Sequence, residues 1–299
     1  MTEQLEGFLQ TLYWCLFSPD LHNSTELPTL DSNFFERGWQ ALRKVPISSR
    51  NLPEFSGRIG NYFEEFIEFF LKEHPWVSSL RRGLQIHLEK QTIGEADFLF
   101  FNEHSKRWVH LEVAVKYYLY SSENQDSICQ ASNFLGPNAV DTLGKKLKKL
   151  SDHQMTLIQK NLHLIPELQE SSSLESRLLF KGFLFYPLGD QPKGIRTVSN
   201  QISKNHNRGW WIRPSELMAD HLPWKSYQFL ERRHWLGNSY WDRLEGQTFD
   251  RKEFMKFSHD RFRSLSSPLM FDCYSDKPGD SESRSRLIVV SENWPNTGR

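Results

Sequence analysis

Cysteine is scarce in this chain of 299 residues: only Cys15, Cys129 and Cys273, too few and too far apart for a disulfide framework or a thiolate metal site. They read as packing residues of a protein kept in a reducing compartment. No run approaches the roughly 18 apolar residues that would span a bilayer. The opening MTEQLEGFLQTLYWCLF is acidic at its start and broken by polar residues. No membrane partner and a cytoplasmic location are therefore expected. Neither sign of charge is in excess, with 37 Lys and Arg against 37 Asp and Glu. No global field draws the chain to a polyanion, and any basic surface has to be local. The 11 histidines form no HExxH, and neither a glycine-rich phosphate loop nor a GxSxG elbow is present. Zinc hydrolase, nucleoside triphosphatase and serine hydrolase chemistry lose their usual signatures. There is no internal repeat and no composition break that would mark a linker.

What is present is apolar and aromatic enough to fill a core: 38% hydrophobic and 14% aromatic residues. Leu5, Phe8, Leu9, Leu12, Tyr13 and Leu16 recur at helical spacing over residues 2 to 17, and Ser18-Pro19 ends that helix. A short helix is expected from Phe34 to Leu42. A stronger one follows Gly57, with Ile59, Phe63, Phe66, Ile67 and Phe70 on one side and Pro75 beyond its end. Two strands are expected over about 84 to 119, and a long helix from about Asn138 to Gln159. RLLFKGFLFYPL (177 to 188), WWIRP and SRLIVVSENWP read as strands, SELMADHL as the start of a helix, and Ser275 to Ser285 as an exposed loop. The expectation is one α/β domain over 1 to 299, with a mixed central sheet flanked by helices and a tryptophan-rich C-terminal portion from about 191.

The strands around IGEADFLFFNEHSKRWVHLEVAVKYYL carry charges that a core strand has no use for: Glu95, Asp97, Glu112 and Lys116. Either they face solvent or they form a site. A four-residue turn, Glu103 to Lys106, would pair Asn102 with Arg107, which sets Asp97 opposite Glu112 and Ile93 opposite Lys116. One face then holds Glu95, Asp97, Leu99, Phe101, Trp108, His110, Glu112, Ala114 and Lys116. The other holds Ala96, Phe98, Phe100, Val109, Leu111, Val113, Val115 and Tyr117 and is wholly apolar. Opposed like charges destabilise a strand pair. A hard cation such as Mg²⁺ or Mn²⁺, which takes one or two protein carboxylates, would compensate. A structural polar network would also answer, with Lys116 as an ion-pair partner of Glu95 or Asp97.

An acidic residue on one strand, Glu and Lys on the next, and a preceding helix bearing Glu64 resemble the PD-(D/E)XK nuclease superfamily. TIGEADFLFF, HLEVAVKYYL and FLGPNAVDTLGKKLKKLSDHQ are similar to blocks of an uncharacterised bacterial domain-of-unknown-function family grouped with that fold, as are GNYFEEF, NRGWW and SRLIVVSENWP. The resemblance covers most of the chain and implies a restriction-endonuclease-like core over about 55 to 190. It implies Asp97 and Glu112 as ligands of Mg²⁺ or Mn²⁺, Glu64 completing the metal shell, Lys116 assisting catalysis, and DNA or RNA as partner. The family pattern puts its lysine two residues after the glutamate, where this chain has Ala114, and Lys116 lies one strand repeat further on.

The helix after the hairpin carries Lys145, Lys146, Lys148 and Lys149 between Leu143, Leu147 and Leu150. They form a solvated face or, in a nuclease, contact phosphates, with Lys145, Lys149 and Gln154 as substrate-binding candidates. Arg208, Trp210, Trp211, Arg213, Trp224, Arg232, Arg233 and Trp235 either stack bases or build a core overlaid by arginine stems. The expected function is phosphodiester hydrolysis in nucleic acid. The alternative is a nuclease-fold module that binds nucleic acid or a protein without cutting, and a substrate other than nucleic acid also stays open.

Overall fold

The computed structural model describes residues 3–44, 52–121, 128–169, 173–193, 197–218, 222–237, 247–264, 267–275 and 284–296. Three helices open the chain: α1 (Glu3–Phe17), α2 (Ser32–Leu42) and α3 (Ile59–Lys72). Asp31 caps α2, accepting the Asn33 amide at 2.8 Å. A meander follows, β1 (Val77–Leu88), β2 (Gln91–Asn102) and β3 (Arg107–Tyr120), then two short strands, β4 (Ile128–Cys129) and β5 (Phe134–Leu135). Next come α4 (Leu143–Lys149), α5 (Leu157–Lys160), β6 (Leu174–Pro187), β7 (Thr197–Val198), β8 (Arg208–Ile212), β9 (Ser226–Leu230) and β10 (Thr248–Asp250). Helix α6 (Arg251–Ser264) and strands β11 (Leu269–Tyr274) and β12 (Arg284–Val289) close the described chain.

One mixed sheet runs in the order β1-β2-β3-β6-β8-β12-β11-β9-β10, with β5 attached to β3. The meander is antiparallel, whereas β3 pairs with β6, β6 with β8 and β8 with β12 in parallel. Strand β3 is central and buried along most of its length, which is why it reads as a nearly continuous apolar run. Its approach to β6 is close enough that a Cβ on Gly182, at φ +137°, would sit 1.7 Å from the Lys116 carbonyl oxygen. Only glycine fits that backbone.

Helices α1, α2 and α3 cover one face, where Phe63, Phe66 and Phe70 meet Phe98, Phe100 and Leu111. On the other face Leu143, Leu147 and Leu150 pack with Ala114, Tyr118 and Phe180. Helix α6 packs Phe254 against Phe271, Tyr227 and Leu287 of the C-terminal strands.

Several expectations need correction. The expected strand pair is a three-stranded meander, because β1 is an edge strand whose exposed Arg81, Gln85 and His87 hide its alternation. The long helix expected over 138 to 159 is three pieces. Helix α4 begins at Leu143, capped by Thr142, and a π-helical turn over Leu150–Gln154 breaks it before the single turn of α5. In that turn the Met155 amide reaches back five residues to the Leu150 carbonyl at 2.9 Å. SELMADHL forms a 3₁₀ turn at Pro214–Glu216, with 219–221 outside the described residues. Of the expected loop Ser275 to Ser285, Ser285 lies in β12 and 276–283 lie outside the described residues. Helix α6 and strands β9, β10 and β11 were not foreseen. No helix among the described residues is long and apolar enough to cross a membrane.

Candidate functional site

The turn Glu103 to Lys106 forms with the expected length, because Asn102 accepts the Lys106 amide on its carbonyl and the His104 amide on its side chain. Pairing then runs from Asn102–Arg107 to Phe98–Leu111 and stops. Beyond that point β2 and β3 part, and neither of the expected pairings, Asp97 with Glu112 and Ile93 with Lys116, is formed. Asp97 sits where the strands separate, and its Oδ2 accepts the Val113 amide at 2.9 Å in place of a backbone carbonyl. The apolar face is as expected except at Ala96, which packs with Leu84, Ile86, Leu99 and Trp108 in a small cluster with Ile158 and Leu168. That cluster also closes part of the face expected to be polar. Glu95 stays exposed and takes a hydrogen bond from Gln85 at 3.2 Å.

The parting opens a cleft of about 690 Å³ lined by Glu64, Asp97, Lys116, Lys146 and Gln154, together with Arg232 and Trp235 from the C-terminal half of the chain. Glu112 is fully buried behind that lining. Its Oε1 pairs with Nε2 of the equally buried His110 at 2.8 Å, and its Oε2 accepts from the Gln154 amide nitrogen at 2.6 Å. Gln154 in turn accepts from the Lys146 ammonium at 3.1 Å. One chain of hydrogen bonds thus links the strand carboxylate to the helix lysine. The π-helical turn carries Gln154, and a widened turn re-aims the side chain that follows it.

Asp97 has no such chain. Its Oδ1 receives no hydrogen bond from the described residues. Burial and then the neighbouring Glu112 charge push its carboxyl from 3.8 up to about 8, against the Val113 amide and Lys146, which favour the anion. Lys146 is pushed down, first by burial and then by Lys116, while Asp97 and Glu112 hold it up. Lys116 is half-buried and makes no ion pair among the described residues. Glu64 reaches the cleft from α3 while paired with Arg82 at 3.2 Å.

Four of the candidates read from the sequence, Glu64, Asp97, Lys116 and Gln154, therefore line one cleft, and a fifth, Glu112, lies buried behind it, bound to Gln154. Lys145 and Lys149 do not line the cleft and are exposed on α4. Lys146, missed among its neighbours, does. It lies three residues after Leu143 and four before Leu150, on the border of the buried stripe, which was the signal available. Ala114 belongs to the cluster of Leu143, Leu147 and Leu150 and also lines the cleft, where it offers a methyl group in place of an ammonium. The arginines and tryptophans of the C-terminal portion mostly build core: Trp211, Trp224, Trp235 and Trp294 are buried, and Arg213 and Arg232 lie over Trp211 and Trp235.

A family profile described as a domain of unknown function, DUF1853, matches residues 10–290. The chain belongs to that family. No curated protein and no solved structure is similar enough to be matched. The membership covers the whole cleft, walls included, and assigns it no chemistry.

Among the described residues no group of three or more His, Cys, Asp or Glu side chains is arranged to hold a metal. A caged, zinc-type site is thus absent from them. A hard cation that keeps most of its waters asks for less, one or two carboxylates. The open Oδ1 of Asp97, beside Glu112 and Glu64, fits that requirement.

Proposed function

We propose that this chain is a divalent-cation-dependent phosphodiesterase of the PD-(D/E)XK type, acting on nucleic acid through the cleft at the parting of β2 and β3. The observation that carries the reading is convergence. Asp97 lines the cleft together with Lys146 and Gln154 from the following helical segment, and Gln154 joins them to Glu112, buried behind the lining on the adjacent strand. The chain order supports it too: α3, the antiparallel meander, α4 and a β6 parallel to β3 follow one another, an order compatible with such a core.

Asp97 and Glu112 would hold Mg²⁺ or Mn²⁺, and Glu64, held by Arg82, would reach the ion only through a bound water. Such a cation lowers the pKa of a bound water and neutralises charge on the phosphate. The remaining groups act by position. Gln154 fixes the Glu112 carboxylate and holds the Lys146 ammonium, so that Lys146 fills the role that Ala114 leaves vacant. Lys116 binds a phosphate oxygen one strand repeat away. The buried His110–Glu112 pair keeps that carboxylate from rotating away from the cleft.

The second reading, a module that binds without cutting, draws on one observation: both Glu112 oxygens are already engaged, by His110 and Gln154. Incubation with single- and double-stranded DNA and RNA in Mn²⁺, with EDTA controls and the variants Asp97→Ala and Glu112→Ala, separates the two. Cleavage that needs Mn²⁺ and is lost in both variants is expected. Cleavage surviving both substitutions, or none on any substrate, defeats the phosphodiesterase reading.

A further inference from the structure

We infer that the cleft admits a single nucleic-acid strand rather than a duplex, and that Arg232, carried by the C-terminal half of the chain, holds one of its backbone phosphates. This deepens the phosphodiesterase reading and rests on it for the identity of the polymer.

Three observations carry it. The first is enclosure. The catalytic side of the cleft comes from the meander, α3 and α4, but Arg232, Trp235 and Pro268 line it from the C-terminal half. The second is size. About 690 Å³ lies within the range of sites that enclose one small ligand. One turn of duplex runs about 34 Å along its axis, whereas a nucleotide or two of an unpaired strand fit such a space. The third is charge. Arg232 is exposed, lies 6.0 Å over the Trp235 ring and has no carboxylate partner among the described residues. Lys116, which also lines the cleft, has none either. Several other surface arginines are matched, Arg81 with Glu167, Arg213 with Glu216 and Arg233 with Glu231, while Arg37, Arg43 and Arg58, which like Arg232 have no such partner among the described residues, lie outside the cleft. Two cations that line one cleft without carboxylate partners are an arrangement that a strand of phosphates satisfies, and one planar guanidinium suits phosphate oxygens in pairs.

The wall is also held in place. The Trp235 carbonyl accepts from Tyr117 at 2.8 Å and from Arg286 at 3.0 Å, and the Gly237 carbonyl accepts from Arg286 at 3.0 Å. Arg232 therefore stands on a short turn tied to the central strand and to the C-terminal sheet. A rigid support of this kind is what a phosphate contact near a reacting centre requires.

The test is binding by fluorescence anisotropy in EDTA, with labelled oligo-dT, oligo-U and a blunt DNA duplex, followed by cleavage of the same strands in Mn²⁺. Single strands are expected to bind more tightly than duplex by on the order of tenfold, the dT and U arms showing which sugar is preferred. Arg232→Ala should weaken single-strand binding several-fold and flatten the dependence of log affinity on log salt by about 0.7. Arg232→Lys should recover part of the affinity. Lys148→Ala, which removes an exposed charge paired with Asp152 on the outer side of α4, should change neither. Duplex bound and cut as well as single strands, no binding of any strand, or an unchanged salt slope in Arg232→Ala overturns the inference. Single-strand binding that depends on Arg232 without cleavage supports it while removing the phosphodiesterase reading.

Discussion

Two aspartates on one sheet meet opposite fates. Asp272, in β11, is fully buried and answered by Arg286 at 3.0 Å and Arg284 at 3.7 Å. Arg286 spends its other donors on the Trp235 and Gly237 carbonyls. Asp97, in β2, is half-buried with Glu112 and Glu64 as charged neighbours, and its one hydrogen bond comes from a backbone amide. The first carboxylate is part of the framework: its charge is paired and its geometry closed. The second is left with negative neighbours and an open oxygen. Burying a charge without a partner is costly, so the contrast separates a group that builds the fold from one that waits for a cation.

Breaking the settled pair should cost most. Arg286→Ala leaves Asp272 without its nearest cation and removes a donor from the Trp235 and Gly237 carbonyls, the former keeping Tyr117, for an expected loss of about 3 to 5 kcal/mol in denaturant unfolding. Loosening the cleft costs less. Gln154→Ala removes the donor to Glu112 and the acceptor for Lys146, an expected loss of about 1 to 3 kcal/mol, and it should abolish Mn²⁺-dependent cleavage out of proportion to that loss. Substituting the unsettled aspartate should cost least and change sign with pH. Folded Asp97 keeps its proton up to about pH 8, whereas an ordinary aspartate releases it near 3.8. Stability from this group is therefore full below about pH 4 and is lost as pH rises toward 8. Asp97→Asn, which cannot ionise, should melt no higher than the native chain at pH 4 and above it at pH 8.5 in EDTA. A variant that melts lower at both pH values would mean that Asp97 is structural like Asp272.

Much of this was legible in the residues. The polar four-residue turn after Asn102 sets the register that brings Asp97 beside Glu112, because side chains alternate with period two along a strand. The aromatic spacing in Ile59–Lys72 marks α3 for the same kind of reason, with a period of 3.6. What stayed hidden depends on tertiary context. β1 is an edge strand with polar side chains. The π-helical turn that aims Gln154 has no sequence signature of its own. Lys146 differs from Lys145 and Lys149 only in lying at the rim of a buried stripe. The role of the C-terminal half as a cleft wall comes from the parallel run of β6, β8 and β12, which joins segments far apart in sequence.

A calorimetric titration of Mn²⁺ into the protein at pH 7, in two buffers of different ionisation enthalpy, tests the central claim most directly. The account predicts one site whose binding releases a proton, because Asp97 must ionise to bind, and whose heat disappears in Asp97→Asn and in Glu112→Gln but persists in Lys148→Ala. Heat unchanged in Asp97→Asn, or no binding of Mn²⁺ at all, would contradict it.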